Sequence, residues 1–298
     1  MPIFTAVNID GARSQRLDRK DRSFESSPES AVVLEAAADK WFFDPRVDES
    51  AQLTAPVFDE TKFAFGHVTR REDPVWGDDT RTARMANDDT FYMTNCSTQH
   101  ENFNSGIWLS LENAILKAAR TGRVKISVFS GPVLLPDDPE VLGVQVPTSF
   151  WKVVAWVEDG ALHARGYMQS QRTLVNAILR TERRRPEALP ELARVEPFEA
   201  LISDIARATS LDFGALVAAD EKRAGGPEAR RGTPLTQEAV DSLARSLSRA
   251  TTSPDDGDDE DRRSDRGDVR QDDREWLRRL IMDVVRNQDR VYRLLDER

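Results

Sequence analysis

The sequence predicts an α+β domain with a central, mainly antiparallel sheet, and three observations lead there. Short apolar, β-rich runs recur from Val124 to Phe129, Val141 to Val146 and Lys152 to Val157, as buried strands require. Between such runs lies a stretch of helical period, from Asn104 to Arg120. Asp159-Gly160 then sits between two apolar runs, the residue pair that a tight hairpin turn with positive φ favours.

Each element follows in order. Ile3 to Ile9 reads as a strand, and Phe91 to Thr94 is aromatic and β-branched enough to predict another. From Asn104 to Arg120, Ile107, Trp108, Leu111, Ile115 and Ala118 recur at three- and four-residue steps, with Gly122 as the stop. Val124 to Phe129 predicts a buried central strand ended by Gly131-Pro132, and Ser149 to Tyr167 a hairpin. Trp108, Trp151 and Trp156 occupy apolar positions of their elements and are expected in the core. His100 and His163 are expected as surface or strand residues.

These elements define a domain over residues 1–219. A polar and acidic linker is expected over 220–271, beginning near Asp220 and plain by Ala224-Gly225-Gly226-Pro227. Within it Val240, Leu243 and Leu247 predict a short helix near 236–249. Residues 272–298 carry Leu277, Leu280, Val284, Val291 and Leu294 at heptad-like spacing, with Asn287 polar in the seam. This predicts an amphipathic C-terminal helix that pairs with its own copy or with a regulatory partner; docking onto the body is the alternative.

Composition narrows the function. The net charge of -10 opposes a polyanionic partner when taken alone. However, Pro254 to Glu275 holds eleven acids against five arginines, so more than half of that charge sits in the tail. A single cysteine, Cys96, excludes an internal disulfide, suits a reducing, cytoplasmic setting and is expected to be buried rather than nucleophilic. No run approaches the roughly 18 apolar residues of a membrane span, and the start is too weakly apolar for a secretory signal.

Chemistry concentrates between residues 62 and 116. Phosphodiester hydrolysis needs a base to take a proton from water, and a cation to neutralise charge growing on the phosphate. His67 suits the first role, because an imidazole with an ordinary pKa of about 6.5 is largely neutral at pH 7. Asn104 suits the second. A carboxamide oxygen is a hard, neutral ligand for Mg²⁺ or Mn²⁺, and a site offering few side chains leaves coordination positions for water and substrate phosphate. Arg70 and Arg71, just after the base, are candidates to hold a phosphate; a neutralised surface with Glu72-Asp73 is the plainer reading.

The run TFYMTNCSTQHENFNSGIWLSLEN, preceded by Gly66-His67, resembles the signature of the DNA/RNA non-specific endonucleases, the ββα-metal or His-Me finger group. The likeness rests on Thr94-Asn95, Gln99, Phe103-Asn104, Trp108 and Leu111-Glu112 at matching spacing. It implies a ββα finger inserted between the first strands and the rest, DNA or RNA as substrate, and a divalent metal. It also implies a role for Glu112 around the metal's water shell, with Asn95 and Gln99 shaping the loop before the ligand. Two arginines of the pattern are missing. Phe65 stands beside the Gly-His pair and Leu116 four residues after Glu112, so Arg46, Arg70, Arg71 or Lys117 would have to stabilise the transition state. The missing arginines motivate an alternative, a degenerate nuclease fold acting as a nucleic-acid-binding or assembly module. The acidic linker and terminal helix further suggest a regulated toxin or defence effector.

Overall fold

The computed structural model describes residues 1–17, 32–36, 39–54, 56–59, 61, 63–183, 198–222, 233–234 and 237–249. The expected C-terminal helix over 272–298 lies outside them, as do the acidic residues 251–271. The first strands are β1 (Thr5–Asp10), β2 (Val32–Ala36), β3 (Asp39–Phe42), β4 (Phe63–His67) and β5 (Cys96–His100), followed by β6 (Lys125–Val133), β7 (Glu140–Val141) and β8 (Val144–Gln145). The last four are β9 (Ser149–Glu158), β10 (Ala161–Ser170), β11 (Phe198–Ala200) and β12 (Thr233–Pro234). The helices are α1 (Pro56–Asp59), α2 (Thr80–Asp88), α3 (Glu101–Asn104), α4 (Ile107–Gly122), α5 (Arg172–Arg183), α6 (Ile202–Thr209), α7 (Ala215–Ala218) and α8 (Gln237–Arg249).

The body is one six-stranded antiparallel sheet in the order β1-β6-β9-β10-β11-β12. Helices α4 and α8 bury Leu111, Ile115, Leu243 and Leu247 with Val128, Val154 and Trp156 in one core. Another joins Trp151, Val153 and Ala164 to Ile202, Ile205, Phe213 and Leu216. Trp108, Trp151 and Trp156 are all buried. The β9–β10 hairpin turns at Asp159 and Gly160 with φ of 51° and 75°, the conformation that a two-residue type I′ turn demands.

Several local expectations are corrected. Residues 91–94 form no strand: two 3₁₀ turns, Asp89–Phe91 and Met93–Asn95, lead into β5. Thr90 and Asn95 there satisfy turn backbone rather than a ladder, through Thr90 Oγ1 to Asn87 O and Asn95 Nδ2 to Thr90 O. The strand expected to stop at Gly131-Pro132 runs on to Val133. Strand β1 pairs with β6 only as far as Ser130, whereas β9 continues to Val133. Pro132 therefore lies beyond the β1 ladder, where a missing N–H costs no bond. The long helix begins at Ile107, not Asn104, because Gly106 breaks the chain: a Cβ there would meet Asn102 O at 2.4 Å.

Asp220, where the linker is expected to begin, is buried and accepts the Ile202 and Lys222 amides. Strand β12 extends the sheet, and α8 packs on α4 through Leu243 and Leu247. Truncating either leucine to alanine is expected to cost about 2–5 kcal/mol.

Candidate active site

Between β1 and β6 the chain forms a separate pair of antiparallel strands, β4 and β5, followed by α3. His67 ends β4, opposite Cys96. Gly66 permits the pairing to be tight, since a Cβ there would lie 2.3 Å from the Gln99 side chain. Gln99 is buried across that glycine with Oε1 unpartnered.

Asn95 fixes the chain as it leaves His67. Its backbone oxygen accepts Val68 N at 3.0 Å and its Oδ1 accepts Thr69 N at 2.8 Å. Its Nδ2 donates to Thr69 O and Thr90 O at 2.9 and 2.8 Å. With all these positions occupied, Asn95 works by holding the loop.

The His67 ring is half-buried between Trp41 and Phe91, at centroid distances of 4.5 and 4.8 Å. Its Nε2 is enclosed and has no hydrogen-bond partner. Burial, with the positive charge of Arg71 adding to it, pulls the imidazole pKa down to about 3. His67 is therefore neutral near pH 7.

Asn104 closes the one-turn helix α3 and is half-buried. His100 Nδ1 caps that helix by accepting Asn102 N at 3.1 Å. His163 stacks on Trp156 and faces Glu221.

Glu112 projects from the second turn of α4 into a buried polar cluster that its sequence neighbours do not announce. Lys152 of β9, 1% exposed, lies 3.4 Å from Glu112 Oε1, donates to Ser130 Oγ at 2.7 Å and sits 5.3 Å from the Trp108 ring. Glu112 Oε1 has no hydrogen-bond partner. Asp73 joins the same electrostatic neighbourhood: burial pushes its pKa up to about 7, opposed by Lys152 and reinforced by Glu112. Lys152 and Asp73 were missed by sequence reasoning, Lys152 because it interrupts an apolar run and Asp73 because it follows an Arg-Arg-Glu surface motif.

The arginines divide. Arg46 is held by Asp44 at 2.7 and 2.8 Å, and this pairing holds the Asp44 pKa down at about 2. Asp44 also accepts Thr94 Oγ1 at 2.7 Å, so Arg46 is tied to the turn preceding β5. Arg70 pairs with Glu72 at 2.9 Å, yet its Nη1 is buried without a partner. Arg71 is close enough to His67 to lower its pKa. Leu116 is core, and Phe65 stacks on Phe58 and Trp41; neither position contributes a charge.

Among the described residues no group of three His, Cys, Asp or Glu side chains is placed to hold a metal, and no helix is long and apolar enough to cross a membrane.

Comparison with known proteins identifies the family. The family model for DNA/RNA non-specific endonucleases matches residues 1–220. An uncharacterised protein, y4fB, of Sinorhizobium fredii is 42% identical over 180 residues, covering 57% of this chain and 24% of that protein. Mitochondrial endonuclease G of Bos taurus is 29% identical over 164 residues, covering 51% of this chain and 48% of its own. The chain thus spans about a quarter and about half of the lengths of these relatives. A chain from the crystal structure of the EndoG/EndoGI complex aligns with a TM-score of 0.48 at 16% identity, over 74% of this chain and 80% of that one. With its α+β body, its inserted ββα finger and a family match across nearly three quarters of its length, the chain belongs to the DNA/RNA non-specific endonuclease family.

Proposed function

We propose that the protein is a metal-dependent, sequence-non-specific endonuclease hydrolysing phosphodiester bonds of DNA or RNA, with His67 as general base and Asn104 as its ligand to Mg²⁺ or Mn²⁺. One observation carries this reading: within the matched span, a histidine with an unpartnered ring nitrogen ends the first strand of a ββα finger. Neutral imidazole can take a proton from an attacking water, and the aromatic walls and the Asn95 lock restrict the ring's orientation.

The donor set suits a hard cation that keeps most of its waters. It consists of the Asn104 carboxamide, with Glu112 acting around the metal's water shell rather than as a direct ligand. When bound, such a cation would neutralise charge developing on phosphate. Lys152 lies 3.4 Å from Glu112 Oε1, while Arg70 and Arg71 are the cations next to His67 in the chain that phosphate could meet.

The test is incubation of plasmid with the protein and Mg²⁺, alongside EDTA and His67→Ala controls. Cleavage that requires both metal and His67 is the expected result. A second reading, a nucleic-acid-binding or assembly module without turnover, draws on the apolar side chains Phe65 and Leu116. It predicts retained binding and no cleavage in the same assay.

A further inference from the structure

A cavity of about 260 Å³ opens beside the finger, between the segment after β1, the loop after β4 and the C-terminal turn of α4. Arg16, Arg71 and Arg120 line it together with Gln15, Asn87 and Glu72. Three guanidinium groups drawn from positions far apart in sequence thus converge on one space. Arg120 is built in: its Nε donates to Ser14 Oγ at 2.8 Å and its Nη2 to Gln15 O at 3.0 Å. Two of its five N–H groups are thereby fixed and the others remain for a ligand.

Neither Arg16 nor Arg71 has an ion-pair partner among the described residues. The one carboxylate in the wall, Glu72, is paired with Arg70 at 2.9 Å. At Arg120 burial disfavours the charge, Glu72 opposes that, Arg16 and Arg70 add to it and Asp73 opposes it. Cations gathered in this way are relieved by an anion.

We propose that this cavity is a phosphate-binding subsite for a nucleotide flanking the one whose phosphate is cleaved. The inference rests on the nuclease reading for the identity of the strand, but not for the binding itself. Arg71 connects the two places, since it lines the cavity and its charge reaches the His67 ring. A backbone phosphate seated at Arg16 and Arg120 therefore carries the neighbouring phosphate toward His67. The volume falls just below the roughly 300–1,000 Å³ of drug-sized ligand pockets and leaves room for a sugar beside the phosphate. Asn87 has a buried Oδ1 without a hydrogen-bond partner, an acceptor suited to the ribose 2′-hydroxyl of an RNA strand.

The experiment measures anisotropy of a fluorescein-labelled single-stranded oligothymidylate with the full chain in EDTA, across a salt series. Arg16→Gln and Arg120→Gln should each weaken binding several-fold and flatten the slope of log K against log[salt] by about 0.7, the loss of one phosphate contact. Arg16 is exposed and makes no hydrogen bond among the described residues, so its variant stays clear of the folding contacts that Arg120 makes. With Mg²⁺ present, KM for cleavage should rise more than kcat falls. If the wild type binds but does not cut, the nuclease reading fails while the slope still decides the subsite. A slope in the Arg16→Gln variant equal to the wild type overturns the proposal, whatever the protein cleaves.

Discussion

Lys152 Nζ lies 3.4 Å from Glu112 Oε1 and donates to Ser130 Oγ at 2.7 Å, a cation closed inside the sheet–helix interface against a carboxylate of α4. Removing one member of such a pair leaves the other buried and uncompensated, which typically costs about 3–5 kcal/mol. Lys152→Met is therefore expected to be strongly destabilised in urea unfolding. Lys152→Met combined with Glu112→Gln should recover part of the stability but none of the cleavage. Full recovery of both would show that the pair serves packing alone.

His67→Ala should lower cleavage by at least about 10²-fold, the lower end of general-base contributions. Because burial holds the His67 pKa near 3, cleavage should show no acid-side fall centred at the ordinary histidine value of about 6.5. A rate profile recorded from pH 8 downward checks this; a clear half-maximum at the ordinary value would contradict the enclosed, neutral ring.

Asn104→Ala should raise the Mg²⁺ concentration needed for half-maximal cleavage, or abolish turnover. The thermal midpoint should barely move, because Asn104 caps neither α3 nor α4, whose N-caps are His100 and Gly106. An unchanged metal titration would move the ligand elsewhere.

Asp73 and His67 respond to pH with opposite sign. Asp73 has a folded pKa raised from 3.8 to about 7. The native state therefore holds a proton that the unfolded chain has released, and this contribution to stability is lost as pH rises between those values. His67 is lowered from 6.5 to about 3, so its unfolded form binds the extra proton and stability is lost as pH falls through that window. Asp73→Asn keeps the neutral shape. Relative to wild type it should gain on the order of 2 kcal/mol between pH 5 and pH 8, read from urea midpoints. No relative gain would place the Asp73 carboxyl in a polar setting.

Much of the fold was readable because period and turn chemistry are local. Asp159-Gly160 carries its own hairpin, and Leu243 and Leu247 mark a helix whose buried face the spacing already gives. Errors arose where tertiary pairing decides. Pro132 is harmless only because β1 ends its pairing at Ser130, and Phe91-Tyr92 has strand composition but is spent on turns that anchor Asn95. In the site, His67, Asn104, Glu112, Asn95 and Gln99 share one short stretch of chain and could be picked out together. The convergence of Arg16, Arg71 and Arg120, and the burial of Lys152 against Glu112, join residues from distant segments. No spacing rule encodes those meetings.

The ladder that places His67 opposite Cys96 gives the finger a built-in reporter. Cys96 is the chain's only thiol, it is fully buried, and burial pushes its pKa up. Thiolate-specific reagents can reach it only when the apolar cluster around it, which includes Trp41, Phe91 and Met93, opens. The rate of its labelling under native conditions, set against the rate after complete unfolding, therefore measures the free energy of opening the packing around the finger. A bound metal or nucleotide that tightens the finger would slow the labelling, so occupancy could be followed without a cleavable substrate.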